Sequence, residues 1–311
     1  MNMLLPAWLV LLSACAAEPA PQVVQADTIP APTRTVALTF DDLPGVFLDA
    51  SLTEARSANE KLLAALKRGG AHATGFVNED KLRGSDARAA LLELWLDAGL
   101  DLGNHTYSHP DLHRTELTAF QDDVLRGERV TRAVMAARGK APRYFRHPFL
   151  HTGETLEKKH AFEAFLAENG YTVAPVTIDN YDYLFARAYD RALQSGMTAR
   201  ADSVRASYIV YMDTVFGYYE AQSRAILGRE PAQTLLLHVS RLNADAMDDL
   251  LAMIERRDYA VIPLEDALRD SAYASPDEYA GPAGITWLHR WAMTRGMPGS
   301  TFAGEPAVPA F

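Results

Sequence analysis

Residues 34–78 read RTVALTFDDLPGVFLDASLTEARSANEKLLAALKRGGAHATGFVN, and the fold follows from this stretch. It opens on an apolar, β-rich run, Thr35 to Phe40, and closes on another, His72 to Asn78. Between them Ala55, Ala58, Leu62 and Leu66 recur at spacings of three and four, which lines one face of a helix. Ser51 and Glu54 offer a capping box at the helix start, and Gly69-Gly70 a stop at its end. Strand, helix and strand in so short a span form a βαβ unit, whose strands lie parallel.

Outward from this unit the alternation continues. Further strand candidates are Leu100 to Gly103, Tyr144 to Arg146, Thr172 to Ile178, Thr234 to His238 and Ala260 to Pro263. Met247, Leu250, Leu251 and Ile254 share another helical face, and Gly99, Gly139 and Gly170 stand where helices should stop. Seven strands with helices between most of them imply a parallel sheet, either open and doubly wound or closed as a barrel; periodicity does not choose between these. Residues 183–229 break the spacing and read as two long helices inserted before the sixth strand. The tail, 271–311, has no clear period, and its Trp287, Leu288 and Trp291 are expected to pack on the body.

The N-terminus reads differently. Leu4 to Ala14 is apolar and ends in Leu12-Ser13-Ala14 directly before Cys15, the pattern of a secretory signal with a lipoprotein cleavage site over residues 1–15. The run is shorter than the roughly 20 residues of a membrane span. Cys15 is the one cysteine in the chain, so it has no disulfide partner, and its expected use is lipid attachment. Residues 16–33, rich in Ala, Pro, Gln and Val, read as a flexible tether, so the folded part is expected over 34–270 with its C-terminal extension. That length suits one large domain or two small ones. These signals place the chain outside the cytoplasm, as a periplasmic or cell-surface bacterial lipoprotein whose only membrane association is the anchor. With 30 basic against 40 acidic residues the net charge is −10, which argues against nucleic acid as a partner and favours an uncharged or cationic substrate.

Four polar clusters fall at the ends of predicted strands, where an α/β protein places its site. Asp41 and Asp42 close the first strand, and adjacent acids there need a compensating cation or arginine, unless they simply cap a turn. His105 and His109 follow the third strand; four apart, they would share one face of a helical turn and could grip one metal ion, or be hydrogen-bonded in a polar loop. Two histidines and a carboxylate leave positions open for water, as catalytic zinc sites do. Arg146, followed by His147-Pro148-Phe149, can fork onto one of the Asp carboxylates. His238 ends the apolar run Leu235-Leu236-Leu237 and is a candidate acid or base, although a lone histidine there is more often a core residue.

In this order the clusters resemble the motifs of the polysaccharide deacetylase family, carbohydrate esterase family four. TFDD at Thr39 to Asp42, HTYSHP at His105 to Pro110, RHPF at Arg146 to Phe149, DNYDY at Asp179 to Tyr183 and LLLH at Leu235 to His238 carry the likeness. The resemblance implies a distorted (β/α)7 barrel and a metal-dependent hydrolase that removes N-acetyl groups from peptidoglycan or chitin-type glycans. It further implies one divalent metal, zinc before cobalt or nickel, on Asp42, His105 and His109. Asp41 would be the general base held by Arg146, and His238 the general acid oriented by Asp182. The Phe149 N–H would face the substrate carbonyl, and Tyr183, where the family usually has tryptophan, would wall the acetyl pocket. An amidohydrolase acting on a small non-sugar amide, or a non-catalytic glycan-binding lipoprotein, are the competing expectations.

Overall fold

The computed structural model describes residues 34–48 and 51–310. The expected signal, Cys15 and the tether lie outside the described residues. In chain order the principal elements are β1 (Arg34–Leu43), α1 (Leu52–Arg68), β2 (Ala73–Val77), α2 (Asp86–Asp97), β3 (Asp101–Asn104), α3 (Leu117–Arg126) and α4 (Arg129–Ala136). There follow β4 (Tyr144–Phe145), α5 (Leu156–Glu168), β5 (Thr172–Val173), α6 (Asp182–Gln194), α7 (Thr198–Leu227), β6 (Gln233–His238), α8 (Arg241–Arg256), β7 (Tyr259–Val261), α9 (Leu264–Ala267) and α10 (Trp287–Thr294). All the described residues fall in one compact unit rather than two small domains.

Every strand pairing is parallel, in the order β5-β4-β3-β2-β1-β6, with β7 on the first residues of β1. The fifth strand is shorter than its apolar run suggests. Pro175 has no N–H to give a ladder, so β5 stops at Val173 and its continuation is irregular. That continuation nevertheless reaches β6: Ile178 N–H donates to the Thr234 carbonyl at 3.0 Å, and Leu236 N–H to the Ile178 carbonyl at 3.1 Å. This single parallel bridge, Ile178 with Leu235, joins the two ends of the curled sheet, which makes a distorted barrel rather than an open doubly wound sheet. The C-terminal ends of all its strands point the same way, so the four polar clusters converge.

The helices supply the cover that a parallel sheet requires. Ser51 caps α1 by accepting the Glu54 N–H at 3.2 Å, and Ala55, Ala58, Leu62 and Leu66 are all buried. Asn59, on the same helix, accepts the Trp95 indole N–H at 2.8 Å and donates to the Pro44 carbonyl at 2.9 Å, tying α1 to α2 and to the loop after β1. The two inserted helices, α6 and α7, are part of the main core and not a detached lid. Phe185 stacks near Tyr208 and Tyr211, and the Tyr208 hydroxyl donates to Asn243 of α8 at 2.7 Å. In the tail, Leu288 and Trp291 are fully buried, and Arg290 donates to Thr152 at 2.6 Å and to Asp277 at 2.8 Å. No helix among the described residues is long and apolar enough to cross a membrane.

Candidate active site

The two acids that close β1 reach one pocket because the strand is broken between them. Successive side chains of a regular strand face opposite sides. Asp42, however, has φ 64°, a left-handed conformation that costs a non-glycine residue about 1–3 kcal/mol, and both carboxylates line the same cavity. Asp41 lies in register with His238 on the neighbouring strand, which sets the two groups face to face by strand pairing alone.

His105 and His109 are brought together by a loop rather than by the expected helical turn. Thr106 and His109 have φ 68° and 58°, which a helix does not allow. The loop is shaped from outside by Asp123 of α3, which accepts the N–H groups of Tyr107 and Ser108, each at 2.9 Å, and the Ser108 hydroxyl at 2.8 Å. Asn104 accepts the Thr106 N–H at 2.7 Å, and Thr106 Oγ1 the His109 N–H at 3.0 Å. The imidazole centroids end 4.8 Å apart.

Asp42, His105 and His109 each offer a ligand atom, all within 4.8 Å of one another. Nδ1 of His105 meets the Arg146 carbonyl at 2.8 Å, so that nitrogen carries the proton and Nε2 turns its lone pair toward the acids. Nε2 lies 3.9 Å from both Asp41 and Asp42, and His109 Nε2 lies 3.7 Å from Asp42. Asp42 Oδ1 and Asp41 Oδ1 are buried without a hydrogen-bond partner. Orphaned carboxylate oxygens beside two imidazole nitrogens are what a divalent ion would satisfy, so these residues fit the metal that the motifs imply.

Around this trio the charges diverge. Burial is the largest influence on Asp41 and pushes its carboxyl up to about 6, against the pull of Arg146 and His238. For Asp42 burial acts in the same upward sense, but Lys81, His109, His238 and His105 together outweigh it and hold the carboxyl below the usual range. Lys81 sits 3.5 Å from Asp42. Arg146 does not fork onto Asp41: one Nη is 3.5 Å from Asp41 Oδ2, and the other donates to Thr39 Oγ1 at 2.9 Å. The buried guanidinium therefore positions the strand end as well as the acid.

Across the pocket His238 is gripped by Asp182, the first residue of α6. Nδ1 of His238 lies 2.7 Å from Asp182 Oδ1, and the His238 backbone N–H donates to Oδ2 at 2.8 Å. Asn243 donates to the same Oδ2 at 2.7 Å and to the His238 carbonyl at 2.8 Å. Burial works against protonation here, but the charge and hydrogen bond of Asp182 prevail and raise the imidazole to about 9. Tyr183 stands with its ring centroid 6.0 Å from that of His238. Asp179, also on the wall, is pushed up to about 6 by burial. The cavity enclosed is about 560 Å³.

Phe149, in the turn after Arg146, has φ 57° and is 54% exposed, with its ring centroid 4.5 Å from that of His109. Its backbone is held from behind by the tail: a Cβ added to Gly284 would lie 1.8 Å from the Phe149 carbonyl oxygen. Gly284→Ala is therefore expected to displace that turn and cost about 1–3 kcal/mol of stability. Denaturant unfolding checks this, and an unchanged midpoint would contradict the close seating.

Thus Asp41, Asp42, His105, His109, Arg146, Phe149, Asp182, Tyr183 and His238 surround or support one pocket. Lys81, Asp123 and Asn243 are unmarked in the sequence; isolated polar residues within helices and connecting segments carry no pattern that distinguishes them. The polysaccharide deacetylase family model matches residues 28–172, a span that includes the TFDD, HTYSHP and RHPF segments. Among similar proteins, the peptidoglycan-N-acetylglucosamine deacetylase of Bacillus cereus is 29% identical over 151 residues, 48% of this chain and 46% of that one. The chitin deacetylase of Colletotrichum lindemuthianum is 29% identical over 151 residues, covering 48% of this chain and 52% of its own. The chitooligosaccharide deacetylase of a Bradyrhizobium species is 32% identical over 117 residues, 38% of this chain and 47% of that one. The chain thus matches about half the length of these relatives. A solved peptidoglycan N-acetylglucosamine deacetylase shares the fold at 18% identity and a TM-score of 0.50, over 76% of this chain and 89% of that one.

Proposed function

We propose, for a chain whose residues 28–172 match the polysaccharide deacetylase family model, metal-dependent hydrolysis of the N-acetyl groups of a glycan of peptidoglycan or chitin type. The observation that carries the reading is the trio Asp42–His105–His109 beside Asp41, with the His238–Asp182 pair across the same cavity. A divalent ion held by the trio, zinc before cobalt or nickel, would polarise the acetamide carbonyl and make a water molecule acidic. Asp41 takes the proton of the attacking water, and Arg146 fixes its carboxylate. His238 delivers a proton to the departing amine, in an orientation fixed by Asp182 and Asn243. The Phe149 N–H is assigned to the developing oxyanion, and Tyr183 to the wall around the acetyl methyl. Exposed Phe47, Phe149 and Tyr181 at the cavity rim suit a sugar chain longer than the reacting unit.

The reaction should have a pH window with assignable limits. Asp41 acts in its ionised form, present above about 6, and a bound cation moves that limit lower because it favours the anion. His238 acts in its protonated form, present below about 9. Asp182→Asn removes the charge that raises His238, so the alkaline limb of kcat/KM is expected to move to lower pH, whereas the acid limb, on which Asp182 is a minor influence, moves less. A pH profile whose alkaline limb is unmoved would contradict the role given to His238.

The proposal extends to location. Cys15, preceded by Leu12-Ser13-Ala14, is assigned as the lipid attachment point of an exported protein. Cys15→Ser is expected to shift the protein out of the membrane fraction, and equal membrane recovery of both forms would contradict the anchor.

A further inference from the structure

A second group of ligating side chains lies beside the pocket and is not used by the proposed chemistry. Asp111 and His113 follow His109 in the loop leaving β3, and His151 follows Phe149 in the loop leaving β4. One nitrogen of each imidazole and one oxygen of Asp111 all lie within 4.8 Å of one another. The two rings are stacked, with centroids 3.9 Å apart and planes 5° from parallel. Asp111 Oδ1 lies 2.6 Å from His151 Nδ1 and also accepts the backbone N–H of His113 at 2.8 Å, which fixes the carboxylate between the rings' loops.

The state of His113 is the informative feature. Its Nδ1 is buried with no hydrogen-bond partner. A ring nitrogen is a donor or an acceptor according to tautomer, and in either state Nδ1 is left here with an unused hydrogen-bonding position. A ring nitrogen that no protein group occupies is what a metal-ligating histidine presents to an ion. In the first trio His105 likewise keeps one ring nitrogen, Nε2, for the acids, its Nδ1 being on the Arg146 carbonyl. A buried unpaired nitrogen otherwise destabilises the fold. Arg114 pairs with Asp111 at 3.5 Å, but its side chain is 87% exposed, which gives weak compensation.

We propose that Asp111, His113 and His151 form a second divalent-metal site, separate from the Asp42–His105–His109 trio, that cross-links the loops following β3 and β4. Two imidazoles and one carboxylate select zinc, nickel or copper over magnesium or calcium. The ion would take the place of the proton shared by His151 and Asp111. Ligation asks only for a turn of the stacked rings about χ2, a soft torsion. Because the side chains of His151 and Asp111 are 18% and 20% exposed, water completes the coordination, and the ion binds more weakly than at the buried trio. Its structural effect is to fix the Phe149 turn against His109, the rim of the cavity.

The test is independent of any catalytic result. Full-length chain stripped of metal is dialysed against Zn²⁺ alone and its content measured; about two equivalents are expected. Asp111→Asn and His151→Gln should each lower this to about one, and so should His105→Ala combined with His109→Ala. Circular dichroism of each variant identifies any that fails to fold, and the conservative Asp111→Asn then carries the comparison. Saturation of the unaltered chain at about one equivalent, or about two equivalents persisting in folded Asp111→Asn and His151→Gln, overturns the site. Loss of metal only on changing His105 and His109 would leave the proposed function standing and remove this inference alone.

Discussion

Asp41→Asn is expected to lower acetate release roughly 10²- to 10⁴-fold while the metal content stays unchanged. The expectation rests on the different surroundings of two chemically identical neighbours. Asp41 is buried at the end of a strand, its Oδ1 has no partner, and its carboxyl is raised to about 6, so it can exchange a proton near neutrality. Asp42 is surrounded by Lys81, His109, His238 and His105, which keep it ionised, as a ligand must be. An amide at position 41 keeps the shape and loses the base. Asp42→Asn should do the reverse, and weaken metal binding because a charged ligand becomes neutral. Paired measurement of rate and metal content separates the two. Should Asp41→Asn lose its metal while Asp42→Asn keeps both metal and rate, the assignments within Thr39 to Asp42 are interchanged.

Replacing both His105 and His109 with Ala is expected to remove the ion from the first trio and, with it, measurable deacetylation. Of the trio only Asp42 remains, already paired with Lys81 at 3.5 Å, and carboxylates without the two imidazoles hold a transition-metal ion weakly. The loop that carries the two imidazoles should survive, because Asp123 and Asn104 hold it through backbone groups that do not involve the rings. Unfolding midpoints near those of the unaltered chain would show that the loss is chemical. Acetate release at the unaltered rate from the doubly substituted chain would exclude metal assistance by this trio.

The barrel was readable because its first unit is regular. The apolar strand, capped helix and glycine stop of residues 34–78 appear where the pattern puts them, and β1 carries the reactive acids at its end. The sheet's closure was legible only through the family resemblance, and not through the periodicity. It depends on irregular residues after Pro175 that reach β6 through one bridge, and neither strand period nor composition records such a contact. The site shows the same division. The residues to which the proposed chemistry is assigned sit in compact runs at strand ends and stand out against apolar sequence. Those that position them do so over long separations. Asp123 shapes the histidine loop from α3, and Asn243 fixes Asp182 from α8. The spacing of His105 and His109 suggested a helical turn, but the left-handed backbone at Thr106 and His109 brings the rings together through a loop instead. The guanidinium of Arg146, expected on a carboxylate alone, divides its bonds between Asp41 and Thr39 because both lie on the same strand end.

Acetate release from N-acetylglucosamine oligomers is the most direct measurement of metal-dependent N-deacetylation by this pocket. It is made on full-length chain as purified, after chelation, and after return of Zn²⁺. The expected result is release by the purified chain, loss on chelation and recovery with the ion, with none of these in the His105→Ala, His109→Ala form. Release that continues undiminished in the chelated chain, or no release from any N-acetylated glycan by fully metal-loaded protein, would contradict it.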